Sequence, residues 1–144
     1  MALGTLTLRC AVAKVIELPA YGWAPREDQM PAWTALEQGQ KDLIVLAAHR
    51  RFGKDELGLQ AVATKAMQRV GSYYYCLPEY AQARKAIWNG VNHRTGRTRI
   101  DDAVPPELIA RRDNQEMFIQ LKNNSTIQMV GSDNYNSLVG AGPV

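Results

Sequence analysis

Leu43-Ile44-Val45-Leu46-Ala47-Ala48-His49-Arg50-Arg51-Phe52-Gly53-Lys54-Asp55 is the stretch whose reading decides the fold. Leu43 to Ala47 is an unbroken apolar run, which suits a strand buried on both faces. Glu56 to Val70 contains no Pro and only Gly58, which suits a helix. Strand, Gly-Lys turn and helix in that order predict a phosphate-binding loop. The unpaired N–H groups at a helix N-terminus offer donors and partial positive charge to a polyphosphate. Gly53 lets the backbone close around the phosphates, and Lys54 reaches the β and γ positions as a point charge.

Against the pattern G-x-x-x-x-G-K-[ST], Ala48 stands in place of the first Gly and Asp55 in place of the magnesium-binding hydroxyl. Two readings of Asp55 stay open. It is an acidic residue in a first helical turn, favoured there by the macrodipole by roughly 0.3–1 kcal/mol. Alternatively, its carboxylate holds Mg²⁺, a hard cation that prefers oxygen ligands. The second reading needs the metal, because a bare carboxylate beside a triphosphate would repel it.

Working outward, the 144 residues suit one domain with a sizeable core. At 46% hydrophobic and 22% charged residues, the composition is ordinary for a folded soluble protein, and disorder is not expected. The balance of 17 basic to 14 acidic residues, +3 overall, is compatible with a nucleic-acid partner without demanding one. Cys10 and Cys76 have no spacing that marks a zinc site or disulfide framework, and read as core thiols of a reducing compartment. Arg9, Lys14 and Glu17 interrupt the apolar N-terminus, so no signal core or membrane helix is expected, and the protein is expected in the cytoplasm.

Residues 1–24 read as an N-terminal arm or first strand, with Leu6, Leu8, Cys10, Val12 and Lys14 alternating against their neighbours. Asp28 is placed to cap a helix running to about Gln38, with Gly39 as its stop. Beyond the loop, a helix to Val70 is followed by a second buried strand, Ser72–Leu77, and a helix from Glu79 to Trp88. This alternation predicts a parallel sheet. Pro105-Pro106 predicts a short helix to about Ala110. Met117–Leu121 and Thr126–Val130 flank Lys122-Asn123-Asn124-Ser125 as a hairpin, an antiparallel addition to the sheet. Asn92-His93-Arg94-Thr95-Gly96-Arg97-Thr98-Arg99 is either a solvated loop or a set of phosphate contacts to DNA. His49 and His93 have no sequence neighbour that marks a triad or metal cluster.

With the loop placed, residues 25–144 resemble part of the N-terminal ATPase domain of the large terminase subunit of tailed bacteriophages, the motor that packs DNA into a procapsid. Pro25-Arg26-Glu27-Asp28-Gln29 with Ala32-Trp33 is similar to that family's adenine-recognition segment. His49-Arg50-Arg51-Phe52-Gly53-Lys54-Asp55 resembles its variant phosphate loop. Tyr75-Cys76-Leu77-Pro78 with Gln82 and Trp88, and Gly131-Ser132-Asp133-Asn134 with Ser137-Leu138-Val139-Gly140, resemble later segments.

The resemblance implies an α/β P-loop NTPase fold of the additional-strand type: a mainly parallel sheet with flanking helices and an antiparallel hairpin, incomplete as given. It implies ATP and Mg²⁺ as cofactors. Arg26 and Gln29 would bind adenine; His49, Arg50, Arg51, Phe52, Gly53, Lys54 and Asp55 would bind phosphate. Asp55 would be the metal ligand, and Arg50, Arg51 and Lys54 would act in catalysis. For Arg50 and Arg51 a charge-stabilising role at the γ-phosphate stands beside pairing with an acid on the sheet edge. The implied partners are double-stranded DNA, a terminase small subunit, a portal protein and further copies of the chain.

Three positions depart from the family: Ala48, Val139 where many relatives carry an Arg, and the end of the chain. The resemblance puts the acidic strand with its catalytic Glu beyond Val144, so the expectation is weak nucleotide binding and negligible hydrolysis. Ile127–Asp133 and Arg99–Asp102 are rejected as that strand. The rival readings are a helicase-like ATPase fragment and a non-catalytic nucleotide- or DNA-binding remnant.

Overall fold

The computed structural model describes residues 6–9 and 15–138. A short antiparallel hairpin, β1 (Leu6–Arg9) and β2 (Val15–Leu18), opens the chain. Cys10, Val12 and Lys14 of the alternating run lie outside the described residues. In β2, Ile16 and Leu18 are buried and Val15 and Glu17 exposed, the period of two that a half-buried strand requires. Ile16, Leu18 and Ala20 enter the main core, so this segment packs on the rest of the fold rather than standing apart.

One 3₁₀ turn, Glu27–Gln29, leads into α1 (Met30–Gln38), which stops at Gly39 in the left-handed conformation, φ 60°. Asp28 lies inside that turn and does not cap it; Arg26 takes the capping position, and its guanidinium bonds Asp28. α2 (Lys54–Gln68) is the central helix. Its two apolar rows serve two cores. Leu57 and Ala61 pack with Trp33 of α1 and Phe52 of the preceding loop. Leu59, Ala63 and Ala66 face the main core over the sheet.

β3 (Ser72–Leu77) is followed by α3 (Tyr80–Ala83), continued by a π turn at Arg84–Trp88. α4 (Arg99–Ala103) and a 3₁₀ turn at Pro106–Leu108 lead to β4 (Ile109–Asp113), β5 (Phe118–Leu121) and β6 (Thr126–Gly131). The four-stranded sheet runs β3-β6-β5-β4. β3 lies parallel to β6, Ser72 opposite Thr126 through Leu77 opposite Gly131. The other two pairs are antiparallel.

The fold is therefore α/β with a mixed sheet, not the mainly parallel one expected. The reason is connection length. Short turns join β4 to β5 and β5 to β6, and such turns only make antiparallel neighbours. The hairpin at Lys122–Ser125 is as expected, with Asn124 at φ 72°. The expected helix through Ala110 shrinks to Pro106–Leu108, because Ile109 already pairs with Leu121. β3 is an outer strand of half-buried residues rather than one buried on both faces.

The largest departure falls on the opening stretch. Among the described residues Leu43–Ala47 pairs with no strand, and Leu43, Val45 and Leu46 are 79, 83 and 41% exposed. An apolar run becomes a buried strand only when a neighbour supplies the ladder and both covering layers, and no described strand lies beside this one. Cys76 is exposed rather than a core thiol, since it falls on the uncovered side of β3; Cys10 lies outside the described residues. Among the described residues no helix is long and apolar enough to cross a membrane.

Candidate functional site

The loop before α2 is held by two side chains from the turn before α1. Gln29, 2% exposed, donates from Nε2 to the carbonyl of Phe52 at 2.7 Å and accepts the Arg26 amide on Oε1 at 3.0 Å. The Arg26 guanidinium donates to the same Phe52 carbonyl at 2.7 Å. Phe52 itself is 8% exposed and locked into the small core with Trp33, so both its ring and its carbonyl fix the turn. Arg51 and Gly53 then take left-handed conformations, φ 69° and 82°. Gly53 is required here: a Cβ would stand 2.9 Å from Gln29 Nε2, and the backbone angle is one that L side chains avoid.

Gly53 is the N-cap of α2, and no side chain caps that end. Gly53 and the first-turn residues Lys54, Asp55 and Glu56 line a cavity of about 480 Å³. That cavity is lined on one side by Arg51, Gly53, Lys54, Asp55 and Glu56, and on the other by Asn92, His93, Arg94 and Arg99. The Arg51 and Lys54 side chains form no ion pair or hydrogen bond with the described residues. Asp55 accepts the Tyr75 hydroxyl at 3.0 Å and lies 4.0 Å from Arg99. Burial pushes the Tyr75 phenol well above its ordinary value and the adjacent Asp55 charge pushes it further, so Tyr75 stays a donor.

A second cavity of about 310 Å³ is lined by Tyr21, Trp23, Arg26, Gln29, Thr95 and Arg97, and shares Glu56, Gln60, Asn92, Arg94 and Asp102 with the first. The structure thus brings Arg26, Gln29, Gly53, Lys54 and Asp55 around one double cleft. Arg50 and His49 are exposed and line neither cavity; His49 stacks edge-on to Phe52 with centroids 6.0 Å apart.

The Asn92–Arg99 segment is not a loose polar loop. Asp102 gathers it: Oδ2 accepts from Asn92 Nδ2 and Thr95 Oγ1, each at 2.8 Å, and Oδ1 from Arg97 Nε at 2.8 Å. Gln60 of α2 donates to the Asp102 carbonyl at 3.2 Å. Arg97 also lies over the Tyr21 ring, 3.8 Å from its centroid. Sequence reasoning missed this wall. The signals were Thr98 followed by Asp101, an N-cap pattern realised at 3.3 Å, and Gly96 at φ 73°. Asp133 is spent elsewhere, accepting the Tyr80 amide at the start of α3.

Among the described residues no group of three or more His, Cys, Asp or Glu side chains could by itself hold a metal. Asp55, the residue expected to hold Mg²⁺, is a single half-exposed carboxylate shared with Tyr75 and Arg99, so it could serve a cation only as one ligand among others. No family model, curated protein or solved structure matches the chain.

Proposed function

We propose that the chain is the nucleotide-binding portion of a P-loop ATPase related to the phage large terminase motor, with ATP held by its phosphates at the N-terminus of α2. The observation that carries this reading is the uncapped start of a 15-residue helix, opening with Gly53 and an unpaired Lys54 onto a cavity of small-molecule size. In this reading Lys54 and Arg51 neutralise phosphate charge, and the Gly53, Lys54 and Asp55 amides donate to phosphate oxygens. Mg²⁺ bound with the nucleotide would offset phosphate charge and make Asp55 a tolerable neighbour. Arg26 and Gln29 border the adjoining cavity, where a base would follow from phosphates seated at α2. Double-stranded DNA, a small subunit, a portal and subunit assembly belong to the motor reading and rest on the sequence resemblance.

Titration calorimetry with Mg·ATP tests the core of the proposal. Lys54→Ala is expected to weaken binding by at least about tenfold, the loss of one charge-assisted phosphate contact. Lys65→Ala is expected to leave affinity unchanged while lowering stability, because Lys65 Nζ donates to the Glu37 carbonyl and ties α2 to α1. Equal affinity losses in both variants would remove the phosphate-site assignment.

One observation favours the non-catalytic alternative: Asp55 is already engaged by Tyr75 and Arg99. Phosphate release measured on the purified protein, with Lys54→Ala as the blank, distinguishes turnover from binding alone.

A further inference from the structure

We propose that Arg94 and Arg99 are polyphosphate-binding residues, the second wall of the cleft, held at rest by Glu56 and Asp55. This rests on the reading of the α2 N-terminus as a phosphate site and adds to it a pair of side chains that the phosphate-loop pattern does not include.

Three observations carry it. First, the backbone bearing the two arginines is built, not solvated. Asn92 N–H bonds the Arg97 carbonyl at 2.8 Å, Gly96 N–H bonds the Asn92 carbonyl at 2.8 Å, and Arg94 N–H bonds Asn92 Oδ1 at 3.0 Å. Asp102 clamps the segment and Gln60 fastens it to α2, the same helix whose first turn forms the opposite wall.

Second, the segment sorts its cations. Arg97 is committed to Asp102 and Tyr21 and has a structural task. Arg94 and Arg99 line the cleft across from Lys54. Their resting partners sit on the first turn of α2 at long range, Arg94 to Glu56 at 3.5 Å and Arg99 to Asp55 at 4.0 Å. Exposed pairs of that length contribute little, whereas guanidinium to phosphate is short, charge-assisted and often bidentate. A polyphosphate is therefore the better partner for both.

Third, the shape of the cleft selects among anions. About 480 Å³ between α2 and the Asn92–Arg99 segment accommodates a small ligand, and both arginines pair with carboxylates of α2 across that gap.

The test is calorimetric titration of the full chain with inorganic tripolyphosphate and with Mg·ATP, alongside a fluorescence titration with a labelled DNA duplex. Arg94→Ala and Arg99→Ala are each expected to weaken both polyphosphates by roughly tenfold and leave duplex binding unchanged. Arg94 is largely and Arg99 about half exposed, so melting temperature serves as the folding control. Glu56→Gln frees Arg94 and is expected to tighten tripolyphosphate severalfold, and that gain should vanish in the Arg94→Ala background. A Glu56→Gln gain that persists without Arg94 would mean simple charge removal and overturn the pairing. Wild-type affinity in both arginine variants, with Lys54→Ala impaired, would overturn the second wall while leaving the phosphate loop standing. Loss of duplex binding with polyphosphate affinity intact would assign the arginines to DNA. Failure of the wild-type chain to bind either polyphosphate would remove the phosphate site itself, and this wall with it.

Discussion

Gln29 and Phe52, 23 positions apart, are joined by a 2.7 Å hydrogen bond from side-chain amide to main-chain carbonyl, and that bond fixes where the Gly53 turn begins. Both partners are buried, so the contact is structural before it is anything else. Gln29→Ala is expected to cost about 1–3 kcal/mol, since the buried carbonyl loses one of its two donors and a buried side chain is emptied. Urea unfolding measures this. If Gln29 acts only as a brace, ATP and GTP affinities fall together; a loss confined to ATP would instead give it a base-reading role.

Gly53→Ala meets two obstacles at once, φ at 82° and a Cβ position 2.9 Å from Gln29 Nε2. The expected cost is about 1–3 kcal/mol. Its signature is a lower denaturation midpoint with phosphate affinity reduced alongside. A fully stable Gly53→Ala protein would mean that the turn has another conformation in solution.

Tyr75 sets an alkaline limit on stability. Its phenol ionises in the unfolded chain near the ordinary value of 10.0 but resists ionisation in the fold, where burial and Asp55 oppose the anion. Below that value the stabilisation is fully present. Above it the unfolded state holds fewer protons than the native state, so stability falls as pH rises. Thermal melts between pH 9 and 11 are expected to show a decline for the wild type that is shallower in Tyr75→Phe. Parallel curves would contradict the part-buried Tyr75–Asp55 contact.

Asp102→Asn keeps the shape of the hub but removes the charge that Arg97 and the Asn92 and Thr95 donors address. Roughly 2 kcal/mol is expected to be lost, with amide hydrogen exchange accelerated in residues 92–99 more than in α2. Uniform acceleration across both would show that the segment is not separately clamped.

Val45→Lys separates two pictures of the Leu43–Ala47 stretch. At 83% exposed, Val45 should accept Lys with a change within about 0.5 kcal/mol. A loss of several kcal/mol on urea unfolding would place Val45 in a buried strand.

The elements that local rules govern were legible in the sequence. α1 and its Gly39 stop, the long α2, β3 and the Asn123-Asn124 hairpin follow from capping, periodicity and turn chemistry alone. What failed depended on neighbours. Leu43–Ala47 has the composition of a buried strand, yet burial is conferred by the surrounding layers. Ile109–Asp113 has no alternating apolar signature because an outer strand can carry charged residues such as the exposed Arg111 and the half-buried Arg112. Of the site, the Gly53–Lys54 turn was readable. The Asn92–Arg99 wall was not, since its order comes from Asp102, which is itself held by Gln60 across 42 residues of sequence.

Ser125, fully buried at the tip of the β5–β6 hairpin, donates its hydroxyl to the Ala66 carbonyl and receives the Gly71 N–H, while Asn123 Nδ2 also reaches Ala66. The last turn of α2 is thus completed by residues more than fifty positions downstream. Such a helix end gains its partners only when the distant hairpin arrives, and contacts of that separation are slow to form. The C-terminal half of α2 should therefore order late, in the same kinetic event as the hairpin, and Ser125→Ala should speed unfolding more than it slows refolding.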